Sequence, residues 1–559
     1  MRDSVTTATP WSRGRERHRN RPHSLATMLS RARRRFPASL PRYSSSSRPR
    51  LILRSYASAP NENKSPAPLP EDVRPTPYLN DSFGSYAMYT LDFFRRFLKY
   101  TAIGVIAVSM TTFTAFEGAH LWVEKVGLAP ETDEDAKQWE WDLEADRWNG
   151  SMSGGTDPGL GISGRHAVRS AWSALNWGSV SNTTVESRAF ATRKGEGAPA
   201  PIQVRLEYAH EFLRLAIEIA EQAHAKGWLH PMTLNVLLAR RADIVSRIGT
   251  RSALDEARSE YERVWTNLSG EGVQAARVAL KLGDLNRRLG DTEDALSWWA
   301  RSIRLATGGA ATAPADGPPV VPESLPTSPM AQRTLVSSLV SLSAFYASTG
   351  QLDQAKAVEE ASMKLLRSIP SPPSFDSASP AQALHLLYVL QRSSLLSIHL
   401  AEVLYAQQNK PSTSVDWLRQ AAESSERVAL SLTGLPPTHP DAPGSKIPHP
   451  PASETALTER YAKSKSMSGQ AKNLLRDARR TAAEAWNLIG VLTEGSETPD
   501  ANTKALECYE RALGWAGVGR DKAGDIGEPG EGTLESEWKT FWANYVRARD
   551  ATKKVEEQK

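Results

Sequence analysis

Apolar residues along most of this chain return every three to four positions, the spacing of helices that bury one face. From about residue 201 the pattern comes in short helical stretches separated by turns, which predicts helical hairpins following one another in series. Residues 275–306 give the clearest unit. Leu282 and Gly283 fall in its first helix, Gly290 and Asp291 at the turn, and Ala295, Trp299 and Ile303 along the second. Small residues at 283 and 295 let the two helices approach closely, and Trp299, four positions on, fills the gap to the next unit. Gly290 ends the first helix, where a left-handed residue is favoured. Weaker copies follow the same plan. Ala257, Tyr261 and Trp265 suggest a preceding second helix. Leu342, Tyr346, Gly350, Ala355 and Met363 form another unit, and Tyr405, Asn409, Leu418 and Ala422 a poorer one, with Ser414 in place of the usual Ala. Trp486, Ile489 and Gly490 make a good first helix, and Ala505, Tyr509, Ala512 and Leu513 its second, with a few extra residues at 494–499. Pro/Ser/Gly-rich stretches at 307–329, 368–380 and 434–453 read as surface loops. The last amphipathic helix, within 533–559, carries Trp538, Phe541, Trp542 and Tyr545 and is placed to cover the open end of the stack. The array then spans 201–520 as five hairpins plus this cap.

A different pattern precedes the hairpins. Residues 100–116 carry no charge and as a helix would reach about 26 Å, the short end for a bilayer core. Phe93, Phe94, Phe97 and Tyr100 before the run and Trp122 after it resemble interfacial belts. Thr111, Thr112 and Thr114 can bond back to helix carbonyls, which lowers their cost in lipid. A buried soluble helix is the alternative. Residues 93–122 are read as a transmembrane segment with flanks, its core at 100–116. Arg95, Arg96 and Lys99 precede it, and Glu117, Glu124, Glu131, Asp133, Glu134 and Asp135 follow. The positive-inside rule then leaves the N-terminal side in the matrix and the C-terminal domain in the intermembrane space.

Charge changes the reading of the N-terminus. The whole chain has 68 Lys+Arg against 63 Asp+Glu, but residues 1–56 hold fourteen Arg, no Lys and only Asp3 and Glu16 as acids. The rest is mildly acidic, so the basic balance is no argument for nucleic-acid binding. Arg- and Ser-rich, acid-poor composition without a long apolar run points to a mitochondrial presequence. A disordered basic arm has the same composition. Met28 opens a second version of the pattern. Arg54-Ser55-Tyr56-Ala57-Ser58 resembles a matrix-peptidase site, with the cut expected between Tyr56 and Ala57. Residues 57–92 are a Pro-rich linker.

Between span and array, residues 123–200 form a Gly/Trp-rich connecting segment with Trp139, Trp141, Trp148, Trp172 and Trp177. Gly159, Gly161 and Gly164 fit G-x-G-x-x-G literally, but Asp157-Pro158 forbids the strand a dinucleotide fingerprint needs. A turn feeding a helix over about 166–177 is expected instead. Its Trp side chains would pack on the array or on a partner in the membrane plane.

The chemistry of catalysis is missing from the sequence. There is no H-E-x-x-H, P-loop or G-x-S-x-G, and the one cysteine, Cys508, reads as a small apolar helix residue. His120 and His166 have no partner at metal spacing. No cofactor is expected. Sequons at Asn149, Asn182 and Asn267 would carry glycan only in a secretory compartment.

The hairpin at 275–306 looks like a TPR repeat. The expected fold is all-α: a TPR-like helical-hairpin solenoid with a single N-terminal transmembrane helix and a disordered N-terminus. The order of presequence, span and TPR array resembles the fungal mitochondrial inner-membrane TPR proteins related to the TPR adaptor subunit of the i-AAA protease. So do Gly155-Thr156-Asp157-Pro158, Gly164-Arg165-His166-Ala167 and Ala485-Trp486-Asn487-Leu488-Ile489-Gly490. The resemblance covers roughly residues 90–520. It implies a non-enzymatic adaptor whose partners are an AAA protease of the inner membrane, unfolded or misfolded membrane and intermembrane-space clients, and the lipid bilayer.

TPR arrays bind polypeptides on the concave face made by their first helices. Counting from Gly283, that face would carry Arg277, Leu280, Asp284 and Arg287. Equivalent positions are Val340 and Ala344, His399 and Val403, then Asn487 and Val491. An assembly factor or scaffold for a respiratory-chain complex fits the same features. An outer-membrane TPR import receptor fits less well, because Asp284 lies where its carboxylate clamp would want Asn.

Overall fold

The computed structural model describes residues 81–145, 147–177, 184–186, 201–309, 319–370, 377–435, 456–496, 500–520, 526–529 and 537–557. The presequence, its expected cut at Tyr56–Ala57, and most of the linker lie outside them. The chain forms two units, Met1–Ala115 and Phe116–Lys559.

The described part of the first unit belongs to one helix, α1 (Asp81–Trp122), which continues into the second. Residues 85–116 are exposed throughout. α1 is the one helix among the described residues long and apolar enough to cross a membrane. Its threonines behave as the sequence suggests. The hydroxyls of Thr111, Thr112 and Thr114 donate to the carbonyls of Ala107, Val108 and Met110 at 2.9, 2.8 and 2.8 Å, so these three donors do not face the apolar surround unpaired.

Among the described residues, the regular structure of the second unit is helical apart from two short strand pairs, Thr184–Glu186 with Pro201–Gln203 and Val518–Arg520 with Ile526–Pro529. A π-helical turn, Val123–Gly127, ends α1. The short α2 (Glu134–Gln138) and α3 (Trp141–Glu144) follow, then α4 (Gly161–Asn176). α4 starts earlier than the 166–177 expected. Asp157 Oδ1 accepts from Gly159 N at 2.8 Å and caps a 3₁₀ turn over Pro158–Leu160. Gly161, at φ +63°, then turns the chain directly into the helix.

α5 (Val204–Ala225) packs on α4, and five hairpins come after it. They are α6 (Thr233–Ile248) with α7 (Arg251–Asn267), α8 (Gly272–Leu289) with α9 (Thr292–Ala306), and α10 (Pro329–Ser348) with α11 (Leu352–Arg367). Then come α12 (Pro380–Ala406) with α13 (Pro411–Thr433) and, after the one-turn α14 (Glu459–Ala462), α15 (Met467–Glu494) with α16 (Ala501–Ala516). α17 (Glu537–Glu557) lies on α16 and α15. From α4 to α13 each helix packs on the next, and α13 then packs on α15, α15 on α16 and α16 on α17. From α8 onward the first helix of each hairpin also touches the first helix of the following one, and α15 touches α17.

Local chemistry fixes the helix ends. Pro329, Pro380 and Pro411 open α10, α12 and α13, where a missing N–H costs nothing. Ser328 and Ser379 cap α10 and α12 by accepting from Ala331 N and Gln382 N. Gly290, at φ +98°, closes α8 and leads into α9. Within the hairpins the small-to-aromatic pairing is direct. A Cβ at Gly283 would lie 2.5 Å from the Trp299 ring, and one at Gly490 2.6 Å from Tyr509. The aromatic of the second helix thus seats on the glycine of its own hairpin. Trp299 also reaches the next one, edge-on to Phe345 at 5.6 Å.

Candidate functional site

The predicted binding positions divide into three groups. Leu280, Asp284 and Arg287 of α8, Ala344 of α10 and His399 of α12 stay exposed or half-buried. Charge links several of them across hairpins. Asp284 accepts from Trp299 Nε1 at 3.2 Å. Its carboxyl is raised by burial, against the opposing pull of Ser341, Lys281, Trp299 and Arg287. His399 is lowered to about 4 by burial and then by the Arg287 guanidinium, so its imidazole is neutral at physiological pH. Ser343 Oγ sits 3.0 Å from His399 Nδ1 and donates to Glu359 Oε1 at 2.7 Å.

The second group is internal. Val403 is 1% exposed and belongs to the core shared by α8 to α12, and Val340 packs with Val336, Met363 and Leu396. The count from Gly283 put both on the open face. α10 and α12 each have neighbours on several sides, so more of their circumference is covered than in α8.

The third group is met by the C-terminal helix. Asn487 is buried and accepts from Asn544 Nδ2 of α17 at 2.8 Å, and Val491 packs with Tyr509, Tyr545 and Ala548. Arg547 of α17 pairs with Glu494 at 2.7 Å.

Arg277 points to what the sequence did not reveal. Its Nη1 donates to the carbonyl of Leu143 at 3.1 Å, and Leu143 lies in the connecting segment. That segment runs as a strap past the first helices of the hairpins, in reverse order. Glu131 Oε2 accepts from Ser466 N, just before α15. Asp135 accepts from Ser379 Oγ and Ala381 N at the start of α12, at 2.7 and 3.0 Å. Glu140 Oε2 accepts from Ser328 Oγ and Met330 N at the start of α10, at 2.5 and 2.8 Å. Gly150 N donates to Thr233 Oγ1, and Asp157 Oδ2 accepts from His230 N and Thr233 Oγ1 at the start of α6. Carboxylates thus meet the unpaired N–H groups and positive dipole ends of successive first helices.

Between these anchors Trp141 is 1% exposed, and its Nε1 donates to Ala381 O at 2.9 Å. The Arg333 guanidinium lies 3.8 Å over its ring, donates to Glu144 Oε1 at 2.6 Å and reaches Trp139 O at 3.0 Å. His385 Nδ1 lies 3.1 Å from Arg333 Nη1. Burial, and then Arg333, lowers His385 to about 3, so it is the neutral acceptor of this bond. Trp141 and Trp148 are therefore core residues of the array, one of the two uses expected for them.

The glycine pattern serves packing. A Cβ at Gly159 would strike the Trp228 carbonyl, and one at Gly164 would press on Leu160 and Ile219. Asn149 is equally committed. Its Nδ2 donates to Gly154 O and Gly155 O at 2.7 and 2.8 Å, which leaves no room for a glycan in this fold. Burial pushes the Cys508 thiol up to about 11, far from a reactive thiolate. Among the described residues no group of three His, Cys, Asp or Glu side chains could hold a metal ion. No family model matches the chain, and no curated protein does.

Proposed function

We propose that this chain is a non-enzymatic protein-binding adaptor of the mitochondrial inner membrane. It is a TPR-like solenoid anchored by α1 that presents unfolded or misfolded membrane and intermembrane-space proteins to an i-AAA protease. The observation that carries the reading is the continuous layer of first helices, α8, α10 and α12, along which Arg287 is exposed and Leu280, Asp284, Ala344 and His399 are half-buried. That mix of apolar, anionic, cationic and neutral polar groups suits an extended polypeptide of varied sequence. The Gly283–Trp299 and Gly490–Tyr509 closures support the TPR reading. The exposed apolar surface of α1 supports an anchor.

The strap narrows the binding surface. Arg277 is engaged by it, so the client would lie between Leu280 and His399. Val340, Val403, Asn487 and Val491 hold the helices from behind or at the capped end. Photo-crosslinkers at Leu280 and Ala344 in intact mitochondria should trap unfolded clients, and the solubilised protein should co-purify an AAA protease. Crosslinks confined to folded subunits of one respiratory complex would replace the adaptor with an assembly factor.

A further inference from the structure

Large exposed hydrophobic side chains in the second unit are unevenly placed. Beyond Phe116, among the described residues, all lie within residues 121–228 except Val320 and Tyr405. A hydrocarbon core of about 30 Å takes about 20 helical residues. Centred on the uncharged run 100–116, its far edge falls near residues 116–118. α1 continues unbroken to Trp122, which then stands about 6 to 9 Å further on, within the headgroup layer.

α4 is docked at the same level. The His166 ring stacks on Phe116 at 5.8 Å, and its Nε2 lies 3.0 Å from a Glu117 carboxylate oxygen. His166 Nδ1 lies 2.8 Å from the carbonyl of Ile162, one turn earlier, and Ile162 is 78% exposed. Trp177, at the other end of α4, lies 5.2 Å from Trp122. The turn before α4 backs onto the carbonyl of Trp228, whose indole is 65% exposed with the Lys226 ammonium 4.8 Å from its ring.

We propose that Trp122, Ile162, Trp177 and Trp228 form a lipid-contacting edge, set in the headgroup–acyl boundary of the bilayer that α1 crosses. The occupant is phospholipid. The edge includes Trp122, the last residue of α1, and three of its four residues are tryptophans, which favour a boundary with an apolar body and a wet N–H. The Lys226 ammonium over the Trp228 ring adds a cation to this edge, where phosphate would meet it. This inference rests on the reading of residues 100–116 as a span.

The test uses the full chain with Cys508→Ser, reconstituted in phosphatidylcholine vesicles. Single cysteines are introduced as Ile162→Cys, Trp228→Cys, Phe113→Cys or Val320→Cys and labelled with a polarity-sensitive fluorophore. The vesicles carry nitroxide lipid labelled either near the headgroup or deep in the acyl chain. The labels at 162 and 228 should lose fluorescence to the shallow nitroxide, the label at 113 to the deep one, and the label at 320 to neither. A label at 113 that is quenched, with 162 and 228 unquenched, overturns the edge and leaves the span intact. An unquenched label at 113 overturns both. Labels at 162 and 228 unquenched in vesicles, yet shielded from a water-soluble quencher in native membranes, would mean that a protein covers the face, and this also overturns the proposal.

Discussion

At Gly283 the backbone of α8 approaches the indole of Trp299 so closely that no side chain fits between them. Gly283→Ala forces the indole or the helix to move and should cost about 1–3 kcal/mol, as overpacked cores do. Urea unfolding of the Phe116–Lys559 unit would read the loss. The sequence marked both residues but assigned Trp299 to the gap with the next unit, whereas the structure seats it on Gly283 of its own hairpin. Glu359 makes a second residue-scale prediction. It is fully buried, and burial raises it from 4.5 to about 7 despite the hydrogen bond from Ser343. The folded state therefore keeps a proton that the unfolded chain has already lost. Between about 4.5 and 7 the native state binds more protons, so this residue's contribution to stability falls as pH rises through that window. Above it the penalty is complete, about 3 kcal/mol by the size of the shift. Glu359→Gln keeps a hydrogen-bonding carbonyl for Ser343 without the charge. It should raise stability above pH 7 and change it little below the window. An equal gain at both pH values would show that the Glu359 carboxyl titrates alike in the folded and the unfolded chain, with no shift from burial.

At the scale of elements, the strap lay hidden because its partners are remote. Glu131 and Ser466 are 335 positions apart, and residues 131–148 have neither helical nor strand periodicity. The sequence counted Glu131 and Asp135 only as acids that follow the span, whereas folding places Glu131, Asp135 and Glu140 at helix N-termini and Glu144 on Arg333. The sequence did carry half of this signal, since Ser328 and Ser379 are helix caps in their own right. Of the positions counted as facing the binding surface, Leu280, Asp284 and Arg287 on α8 and His399 on α12 are exposed or half-buried, whereas Val403 on α12 belongs to the core. Trp141→Ala should cost about 3–5 kcal/mol, the usual loss for a large buried aromatic. Its distinctive signature is local. Amide hydrogens of Met330 and Ala381, which donate to Glu140 and Asp135, should exchange faster. Amides in the middle of α6, far along the strap, should be less affected. Uniform acceleration across all hairpins would mean that the strap and array unfold as one unit.

Over the whole molecule, a series of hairpins leaves each end with an uncovered face, and the two ends are treated differently. At the start, α4 and α5 close the series and carry exposed Tyr208, Phe212 and Leu215 along one side of α5. At the finish, α17 supplies a half-hairpin whose Phe541 and Ala548 are buried. Its Arg547 holds Glu494 and reaches Tyr509, while Asn544 satisfies Asn487. Removing 533–559 would expose the buried Tyr509 and Asn487 together with the half-buried Val491, a face of apolar and hydrogen-bonding groups shaped to receive a helix. Such a surface pairs with another copy or aggregates, because terminal repeats need a polar outer side to stay soluble. The truncated protein should therefore self-associate in a concentration-dependent way by light scattering. α17 added back as a peptide should restore the intact protein's behaviour. A Glu494→Gln peptide-binding control should weaken that rescue, since the Arg547 pair is half-exposed and worth about 1 kcal/mol or less. If truncation left a well-behaved monomer, α17 would be a passenger on α16, and the end of the series would lie elsewhere.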